Sequence, residues 1–457
     1  MSKQLPMFVF CTLFSGWAFI TCLNDILTNI LKNLFQLTQF EAQFVPCAFF
    51  IAYFIGSIII ILLPMFKINT FIKLGLKKTV IFGIIISAIG CLIFIPAAQY
   101  KNYSIFLVAL FTIGFGFTFL QISVNPMVLS CGDPKTAASR LNIAGGFNSL
   151  ATSLSPIIGA FILYNLLHVN KNPERLGHPY TLLALILLAL AYMVHKLLPA
   201  VQTCDVVDAD YSKLYALNHS NLLFGAIALF FYVGAEVSIG SNLIAYLKSK
   251  ESLGSSDHIA TILLTFYWGG AMVGRFLGGI ALNKYHYTKK IFLMLASGLL
   301  LTLLIITLTG YHETSLVYYI GFLVLAGVLL IYSKGDSRKS LVLFALINII
   351  NIAIVISIHG IIPTWTLLSI GIFNSIMWPN IFDLSLNGLG RYKEQGSSIL
   401  IATILGGALI PILQGKLADI VDIATSFIVP GIGYIYIICY GIFYSTKRYN
   451  LIKTNKT

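Results

Sequence analysis

Stretches of about twenty apolar residues recur along this 457-residue chain from one end to the other. A helix of about 20 residues is long enough to cross the ~30 Å hydrocarbon core of a bilayer. Only 10% of the residues are charged, whereas a soluble globular protein carries about 25%. Since a chain in lipid must satisfy its backbone polar groups internally, the pattern predicts an all-α polytopic membrane protein.

The apolar stretches predict about fourteen transmembrane helices, six before and eight after a polar connector at 199–220. The predicted spans lie near 7–31, 44–66, 79–98, 104–130, 141–167, 179–198, 221–247, 259–282, 290–309, 315–332, 341–358, 361–387, 397–417 and 424–445. We therefore expect an N-terminal bundle at 1–198, a C-terminal bundle at 221–445 and a tail at 446–457.

The distribution of basic residues predicts the orientation of these spans. If the N-terminus is cytoplasmic, roughly 22 of the 29 Lys and Arg residues fall on the cytoplasmic side. The net charge of +13 is then a consequence of membrane topology, and nucleic acid is not an expected partner. We expect both termini to be cytoplasmic.

The two halves of the chain resemble each other. GSIIIILLPMFKINTFIKLGLKK, after the second span, has the same plan as GGAMVGRFLGGIALNKYHYTKK, after the eighth. FNSLATSLSPIIGAFIL likewise resembles ILGGALIPILQGKLAD, with Pro156 and Pro411 each a few residues before a glycine. Internal repeats are typical of transporters with a substrate site near the midplane. Six spans per half is the simplest plan, so the second half carries an extra helical hairpin within about 290–358.

The first span contains a carboxylate in its middle. Its sequence from Gly16 to Leu31 is GWAFITCLNDILTNIL, which places Asn24 and Asp25 side by side. A carboxylate at the bilayer centre costs roughly 2.5–3.5 kcal/mol on insertion scales. We expect Asp25 to face a wet cavity and to take up a proton or bind a cation. The alternative is a structural carboxylate paired with a buried cation, but no Lys or Arg lies at the centre of any span, except Arg275 toward the cytoplasmic end of its helix.

Two further acids lie in predicted spans. Glu236, in FYVGAEVSIGSNL, is a second candidate for the coupling ion or for sugar hydroxyls, unless it is a helix-end carboxylate that reaches interfacial water. Asp383, in PNIFDLSLNG, is closer to a helix end, where a role in gating or structure is expected. Arg275 is expected to tether helix ends and bias a gate.

Amide side chains form a candidate substrate set. Asn and Gln both donate and accept hydrogen bonds, as the hydroxyls of a hexose require. The candidates are Asn24, Gln121, Asn125, Asn142, Asn148 and Asn374. Gln121 and Asn125 are four residues apart and share a helix face. The alternative for the set is hydrogen bonding between transmembrane helices.

Tryptophans in the spans are candidates for stacking on a pyranose ring. Trp378 is the best of them because it precedes Pro379, which we expect to kink its helix, as Pro126 does in the fourth span. Trp17 and Trp268 are the other two. Transmembrane Trp residues are also common as interfacial anchors, which is the alternative here.

Enzymatic chemistry has no support in the sequence. No HExxH, GxSxG or GxxxxGK[ST] motif occurs, and the seven cysteines show no ligand spacing. We expect no catalytic residue, no metal site and no cofactor other than a coupling cation.

Several motifs carry a resemblance to a known family. LNDIL, FLQISVNP and SRLNIAGGFNSL in the first half resemble the fucose permease and glucose/galactose transporter family of the major facilitator superfamily. YVGAEVSIGS, YWGGAMVGRFLGG, IFNSIMWPNIF, LNGLG and GGALIPILQGKLAD in the second half do so too. The resemblance implies two six-helix bundles that rock about a central sugar site, with uptake driven by a cation gradient.

The resemblance also bears on the substrate. In the fucose-type members, an acid on the first helix and an acid on the fourth are functional. Asp25 matches the first, but the fourth position is Gln121, which is similar to the glucose/galactose branch. We therefore expect a monomeric transporter in a bacterial inner membrane, importing glucose or galactose rather than fucose with H⁺ or Na⁺. The alternatives are an uncoupled facilitator or channel, and a transporter of a related sugar such as an amino sugar.

Overall fold

The computed structural model describes residues 4–63, 75–130, 137–169, 173–198, 215–249, 252–281, 286–334, 336–386, 388–389 and 393–444. All regular elements among these residues are helical. Thirteen of the described helical segments are long and apolar enough to cross a membrane, and Leu316–Tyr332 is a shorter apolar helix. The predicted fold class, an all-α polytopic protein, is confirmed.

The helices of the first half are α1 (Gln4–Phe35), α2 (Gln39–Ala42), α3 (Phe44–Leu62), α4 (Leu76–Gln99), α5 (Tyr103–Ser130), α6 (Ala137–Ala160) and α7 (Gly177–Leu197). Those of the second half are α8 (Ser220–Lys248), α9 (Asp257–Ala281), α10 (Tyr287–Thr309), α11 (Leu316–Tyr332), α12 (Ser337–Ser357), α13 (Ile361–Asn374), α14 (Met377–Leu386), α15 (Lys393–Ala402), α16 (Gly406–Ile420) and α17 (Ile428–Cys439). Single π-helical turns extend α6 and α17 to Leu166 and Tyr444.

The chain forms two compact units. Unit 1 comprises Met1–Leu37 and Phe44–Tyr215, and unit 2 comprises Thr38–Gln43 and Ala216–Thr457. The units largely follow the order of the chain, with the boundary between them after Tyr215. Residues 199–214 of the connector lie outside the described residues, and the predicted domain bounds stay a prediction. The segment Thr38–Gln43 is the exception, because it lies in the first half of the sequence but packs in the second unit.

In unit 1, α1 packs against α6, α3 against α5, and α4 against both α5 and α7. Small residues allow the closest of these approaches. A Cβ atom on Gly83 of α4 would lie 2.5 Å from the carbonyl oxygen of Gly116 on α5, so only glycine fits. Close backbone approach at small residues is the usual way in which membrane helices gain packing energy.

Unit 2 repeats this pairing pattern. Here α8 packs against α16, α9 against α13, and α12 against both α13 and α17. The helices α10 and α11 have no counterpart in unit 1 and pack on α9 and α13. They occupy the beginning of the interval in which the sequence predicts an extra hairpin. Most of α10 is exposed, as a lipid-facing helix requires, with Leu295 and Leu299 each more than three-fifths exposed.

The predicted span 361–387 is broken into two helices. Helix α13 ends at Asn374 and α14 begins at Met377. Pro379 has no backbone N–H to donate to the carbonyl of residue 375, and its ring disfavours a continuous helix through the preceding turn. The break places the end of α13 and the start of α14 inside unit 2, where Asn374 and Met377 are both buried.

Candidate functional site

Asp25 lies in the middle of α1 and is turned toward protein. Its side chain is only 6% exposed, and the Cys22 thiol, one turn earlier, lies 3.8 Å from its Oδ2 atom. Since α1 packs against α6 and also contacts α3, α5 and α7, the carboxyl group is in the interior of unit 1. This position fulfils the first requirement for a functional acid in a membrane span, which is that it does not face lipid.

Asn24 has a buried amide without a hydrogen bond. The residue is 3% exposed, and neither its Nδ2 nor its Oδ1 has a hydrogen-bond partner among the described residues. Its backbone carbonyl, by contrast, accepts a bond of 2.7 Å from the Thr28 hydroxyl. An unpaired buried amide costs roughly 1–3 kcal/mol in protein mutational data. A group kept at that cost beside Asp25 is suited to a polar ligand.

A chain of side-chain contacts connects Gln121 to the helix that carries Asp25. The Gln121 Nε2 atom on α5 donates to the Tyr53 hydroxyl on α3 over 3.0 Å. The Tyr53 hydroxyl also interacts with Thr21 of α1, and Thr21 lies one helical turn before Asp25 on the same face. Gln121 as a whole is half-buried.

Asn148 and Trp17 make packing contacts in the same unit. The Asn148 Nδ2 atom on α6 donates to the Phe14 carbonyl of α1 over 3.2 Å. Trp17 is buried, and its ring centroid lies 4.2 Å from that of Phe14. Part of the Asn148 amide is therefore used in joining two helices, and Trp17 belongs to the interior of the unit rather than to an exposed anchor.

Glu236 is the corresponding acid of unit 2. It is half-buried near the middle of α8, not at a helix end, and its Oε1 atom accepts a 2.8 Å bond from the Tyr232 hydroxyl. The Tyr267 hydroxyl donates to the Glu236 backbone carbonyl over 2.9 Å. Arg275 on α9 is close enough to interact electrostatically with the carboxyl group. The acid is thus held from two helices while part of it stays accessible.

Asn374 is the centre of a buried group that we call the tyrosine–asparagine hub, formed by Tyr232, Tyr267, Asn348, Asn374 and Tyr434. The Asn374 Nδ2 atom donates to the Tyr267 hydroxyl over 3.2 Å. Its Oδ1 atom accepts from Asn348 at 2.9 Å and from Tyr434 at 2.7 Å, and its backbone carbonyl accepts from Tyr232 at 3.2 Å. The polar atoms of Asn374 are therefore occupied by helices α8, α9, α12 and α17, which favours a role in joining helices.

Trp268 and Trp378, the two candidate tryptophans of unit 2, lie beside the hub and are half-buried. The Trp378 ring centroid is 6.4 Å from that of Tyr232, and the ring stacks on Phe382. The Trp268 ring packs edge-on against Tyr267 at 5.0 Å. Glu236 and these partly open aromatic rings are linked through two hub tyrosines. Their predicted roles at a substrate site stay predictions.

The side chains of Asn125, Asn142 and Asp383 lie outside the described part of the structure, and their predicted roles stay predictions. The structure also adds residues that the sequence reasoning missed, namely Tyr53 and the hub members Tyr232, Tyr267, Asn348 and Tyr434. A signal existed for Tyr232, since it precedes Glu236 by four residues and so shares its helix face. The other four are brought into place only by helix packing.

Comparisons with known proteins were consistent across sequence and structure. The profile of the Major Facilitator Superfamily matches residues 8–334. A glucose/galactose transporter of Brucella abortus biovar 1 (strain 9-941) is 38% identical over 434 residues, which cover 94% of this chain and 92% of that protein. An L-fucose-proton symporter of Escherichia coli (strain K12) is 28% identical over 479 residues, covering 98% of this chain and 95% of that protein. A crystal structure of the transporter FucP in the outward conformation has 26% identity and a TM-score of 0.65, covering 97% of this chain and 99% of that one.

Proposed function

Because the chain belongs to the Major Facilitator Superfamily, we propose that it imports a neutral hexose by alternating access, coupled to H⁺ or Na⁺ through Asp25. The observation that carries this proposal is the pair at the centre of α1. A buried carboxyl group at Asp25 adjoins a buried amide at Asn24 that has no hydrogen-bond partner among the described residues. One residue can bind a cation, and its neighbour can complete its hydrogen bonds with a sugar hydroxyl.

Coupling follows from the free energy of burying a charge. An ionised Asp25 disfavours any state in which it is closed off from water, and a bound cation removes that penalty. The membrane potential then adds about 2.3 kcal/mol per charge moved at 100 mV, which is about a fiftyfold concentration ratio. Movement of cation and sugar together is therefore sufficient for accumulation.

The choice of hexose rests on Gln121 and on the relatives. The relatives include a glucose/galactose transporter at higher identity than the L-fucose-proton symporter. An amide at position 121, half-buried and hydrogen-bonded to Tyr53, can donate to and accept from a sugar hydroxyl without titrating. We therefore place D-glucose and D-galactose ahead of L-fucose, in a bacterial inner membrane and with both termini in the cytoplasm.

The test is uptake by the purified protein in liposomes. Radiolabelled D-glucose, D-galactose, L-fucose and N-acetylglucosamine are offered separately under an imposed pH gradient, a Na⁺ gradient or neither. We expect accumulation of D-glucose or D-galactose above equilibrium with one of the two gradients. Equilibration without accumulation under both gradients would instead indicate an uncoupled facilitator, and failure with all four sugars would reject the hexose.

A further inference from the structure

Two helices of unit 2 are additions to the repeated plan. The helices α10 and α11, which we call the added pair, have no counterpart in unit 1 and pack on α9 and α13. Unit 1 makes the corresponding helix pairings without such a pair, so the fold alone does not require it. Since lipid provides no hydrophobic force between helices, the pair must be held by close packing and hydrogen bonds. The positions of those contacts on α9 and α13 therefore indicate which part of unit 2 the added pair supports.

Helix α10 contacts α9 at Gly269. A Cβ atom on Gly269 would lie 2.6 Å from the Cδ1 atom of Ile305 on α10 and 3.1 Å from its Cγ1 atom. Ile305 is buried at this contact, although much of α10 is exposed. Because Gly269 directly follows Trp268, α10 is packed against the backbone that carries this candidate tryptophan.

Helix α11 contacts the same turn of α9 through the Tyr319 hydroxyl, which donates to the Phe266 backbone carbonyl over 2.8 Å. The Tyr319 oxygen lies in the space that Gly270 leaves open, since a Cβ atom on Gly270 would be 2.8 Å from it. Tyr319 is fully buried. Phe266 and Gly270 are one helical turn apart, and Tyr267 and Trp268 lie between them in the chain. The hydroxyl therefore joins α11 to the turn that carries both of these residues.

Aromatic rings extend the contact to α13. The Tyr319 ring packs on Trp365 of α13, with 5.9 Å between the ring centroids. One turn further along α11, the Phe322 ring lies edge-on to Phe373 of α13 at 6.3 Å. Phe373 directly precedes Asn374, the centre of the hub. Helix α11 thus contacts α13 next to a hub residue, as it does α9.

We propose that the added pair is a brace for the turn of α9 that carries Tyr267 and Trp268, with Tyr319 and Ile305 as positioning residues through which it sets the affinity for the sugar. The affinity rests on the proposed function, whereas the brace rests on the contacts above. The Tyr267 hydroxyl donates to the Glu236 backbone carbonyl, so a displacement of this turn changes the surroundings of the carboxylate. Close-packed protein interiors have low compressibility and transmit such displacements.

Removal of one hydroxyl group tests the brace without any substrate. The four tryptophans are labelled with fluorotryptophan, and each fluorine NMR signal is assigned by replacing one tryptophan at a time with phenylalanine. In Tyr319→Phe we expect the Trp268 signal to move by more than its line width, because α9 loses the hydrogen bond at Phe266. Tyr318→Phe is the matched control, since Tyr318 is the exposed neighbour on α11, and it should leave the Trp268 signal in place. The Trp17 signal, from unit 1, should stay in place in both variants.

Uptake kinetics separate positioning from general damage to the protein. For D-galactose uptake in liposomes, Tyr319→Phe should raise the KM at least threefold and leave kcat unchanged. Tyr318→Phe should change neither value. A purely structural role of the Tyr319 hydroxyl would instead reduce the amount of active protein, which lowers the apparent kcat and leaves the KM unchanged.

An exchange of side-chain size tests the contact between α9 and α10. Gly269→Ala should raise the KM for D-galactose at least fivefold, because its methyl group meets Ile305. Ile305→Val removes the Cδ1 atom that lies nearest, so the double variant should return to within twofold of the unchanged protein. Gly279→Ala is the control for a glycine on α9, since a Cβ atom there meets nothing within 4 Å, and it should not change the KM.

The outcomes separate the brace from the choice of sugar. If no hexose is taken up but the Trp268 signal moves in Tyr319→Phe, the proposed function fails and the brace stands. An unmoved Trp268 signal in Tyr319→Phe would overturn the brace, whatever the substrate. In protein that transports D-galactose, an unchanged KM in both Tyr319→Phe and Gly269→Ala would overturn the control of affinity by the added pair.

Discussion

Asp25 and Glu236, the candidate coupling acids of the two units, lie in opposite kinds of surroundings. Beside Asp25 in unit 1, the amide of Asn24 is buried without a partner among the described residues. Beside Glu236 in unit 2, Asn374 has its amide and its carbonyl occupied by the hub. The difference teaches that the amide beside Asp25 has hydrogen-bonding capacity left for a ligand, whereas the side chain of Asn374 uses its capacity to join the helices around Glu236. Substitutions should therefore damage ligand binding in the first unit and stability in the second.

The largest effect is expected from Asp25→Asn. The substitution keeps the shape of the side chain but removes its charge, so no cation needs to be bound for the cavity to close. Accumulation of the hexose in liposomes should fall to a ratio of about one, from about fiftyfold per charge at 100 mV. Exchange of labelled for unlabelled sugar is the control and should persist. Wild-type accumulation by the variant would remove Asp25 from the coupling step.

Asn374→Ala should have the next largest effect, on stability. It removes three side-chain hydrogen bonds from the hub, each worth about 1 kcal/mol, so the free energy of unfolding should fall by about 3 kcal/mol. Denaturant unfolding in detergent measures this. Asn351→Ala is a matched control on a neighbouring helix, since one bond to Ser369 is recorded for its amide, and about 1 kcal/mol is expected. Equal losses for the two variants would contradict a central role for Asn374.

Asn24→Ala should lower the affinity for the sugar rather than the stability of the protein. No side-chain hydrogen bond to a described residue is lost, so the free energy of unfolding should not show the fall expected for Asn374→Ala. If a sugar hydroxyl forms hydrogen bonds with the Asn24 amide, the apparent affinity for the sugar should fall about tenfold or more, which corresponds to about 1.4 kcal/mol. Concentration-dependent uptake and unfolding of the same preparation provide both numbers. A loss of stability with unchanged affinity would assign Asn24 to structure.

Tyr232→Phe should give the smallest change. The ring and its packing on Trp378 are kept, while the hydroxyl that is shared between Glu236 Oε1 and the Asn374 carbonyl is lost. A single hydrogen bond of about 1 kcal/mol predicts about a fivefold effect on whichever step Glu236 serves. Uptake measured as a function of sugar concentration and of cation concentration shows whether Glu236 acts in sugar binding or in cation binding. If the substitution changes neither the sugar dependence nor the cation dependence of uptake, the Tyr232 hydroxyl does not position Glu236 for transport.

The sequence predicted the fold well because hydrophobic length is a local property. It located the apolar helices, including α10 and α11. It predicted a kink at Pro379 but not that the helix would break after Asn374. It also did not predict α2, a four-residue helix that is held by Asp419 and Asn242, far away in the sequence.

The candidate site was predictable only in part. Charge in an apolar span is visible in the sequence, so Asp25 and Glu236 were found. Whether an amide such as Asn24 or Asn374 is satisfied depends on neighbouring helices, and a single sequence does not contain that information. The tyrosines of the hub were missed because tyrosine is common in apolar helices, and its hydroxyl becomes informative only when a partner is seen.

The short helix α11 has a consequence for the lipid around unit 2. Its seventeen residues span about 25 Å at about 1.5 Å per residue, less than the ~30 Å of an average hydrocarbon core. Such a mismatch is relieved by local thinning of the bilayer or by polar flanking groups that reach the headgroups. The acyl-chain length of the surrounding lipid therefore sets the force that the bilayer exerts on α11. This force is passed on to α9 and α13, against which α11 packs.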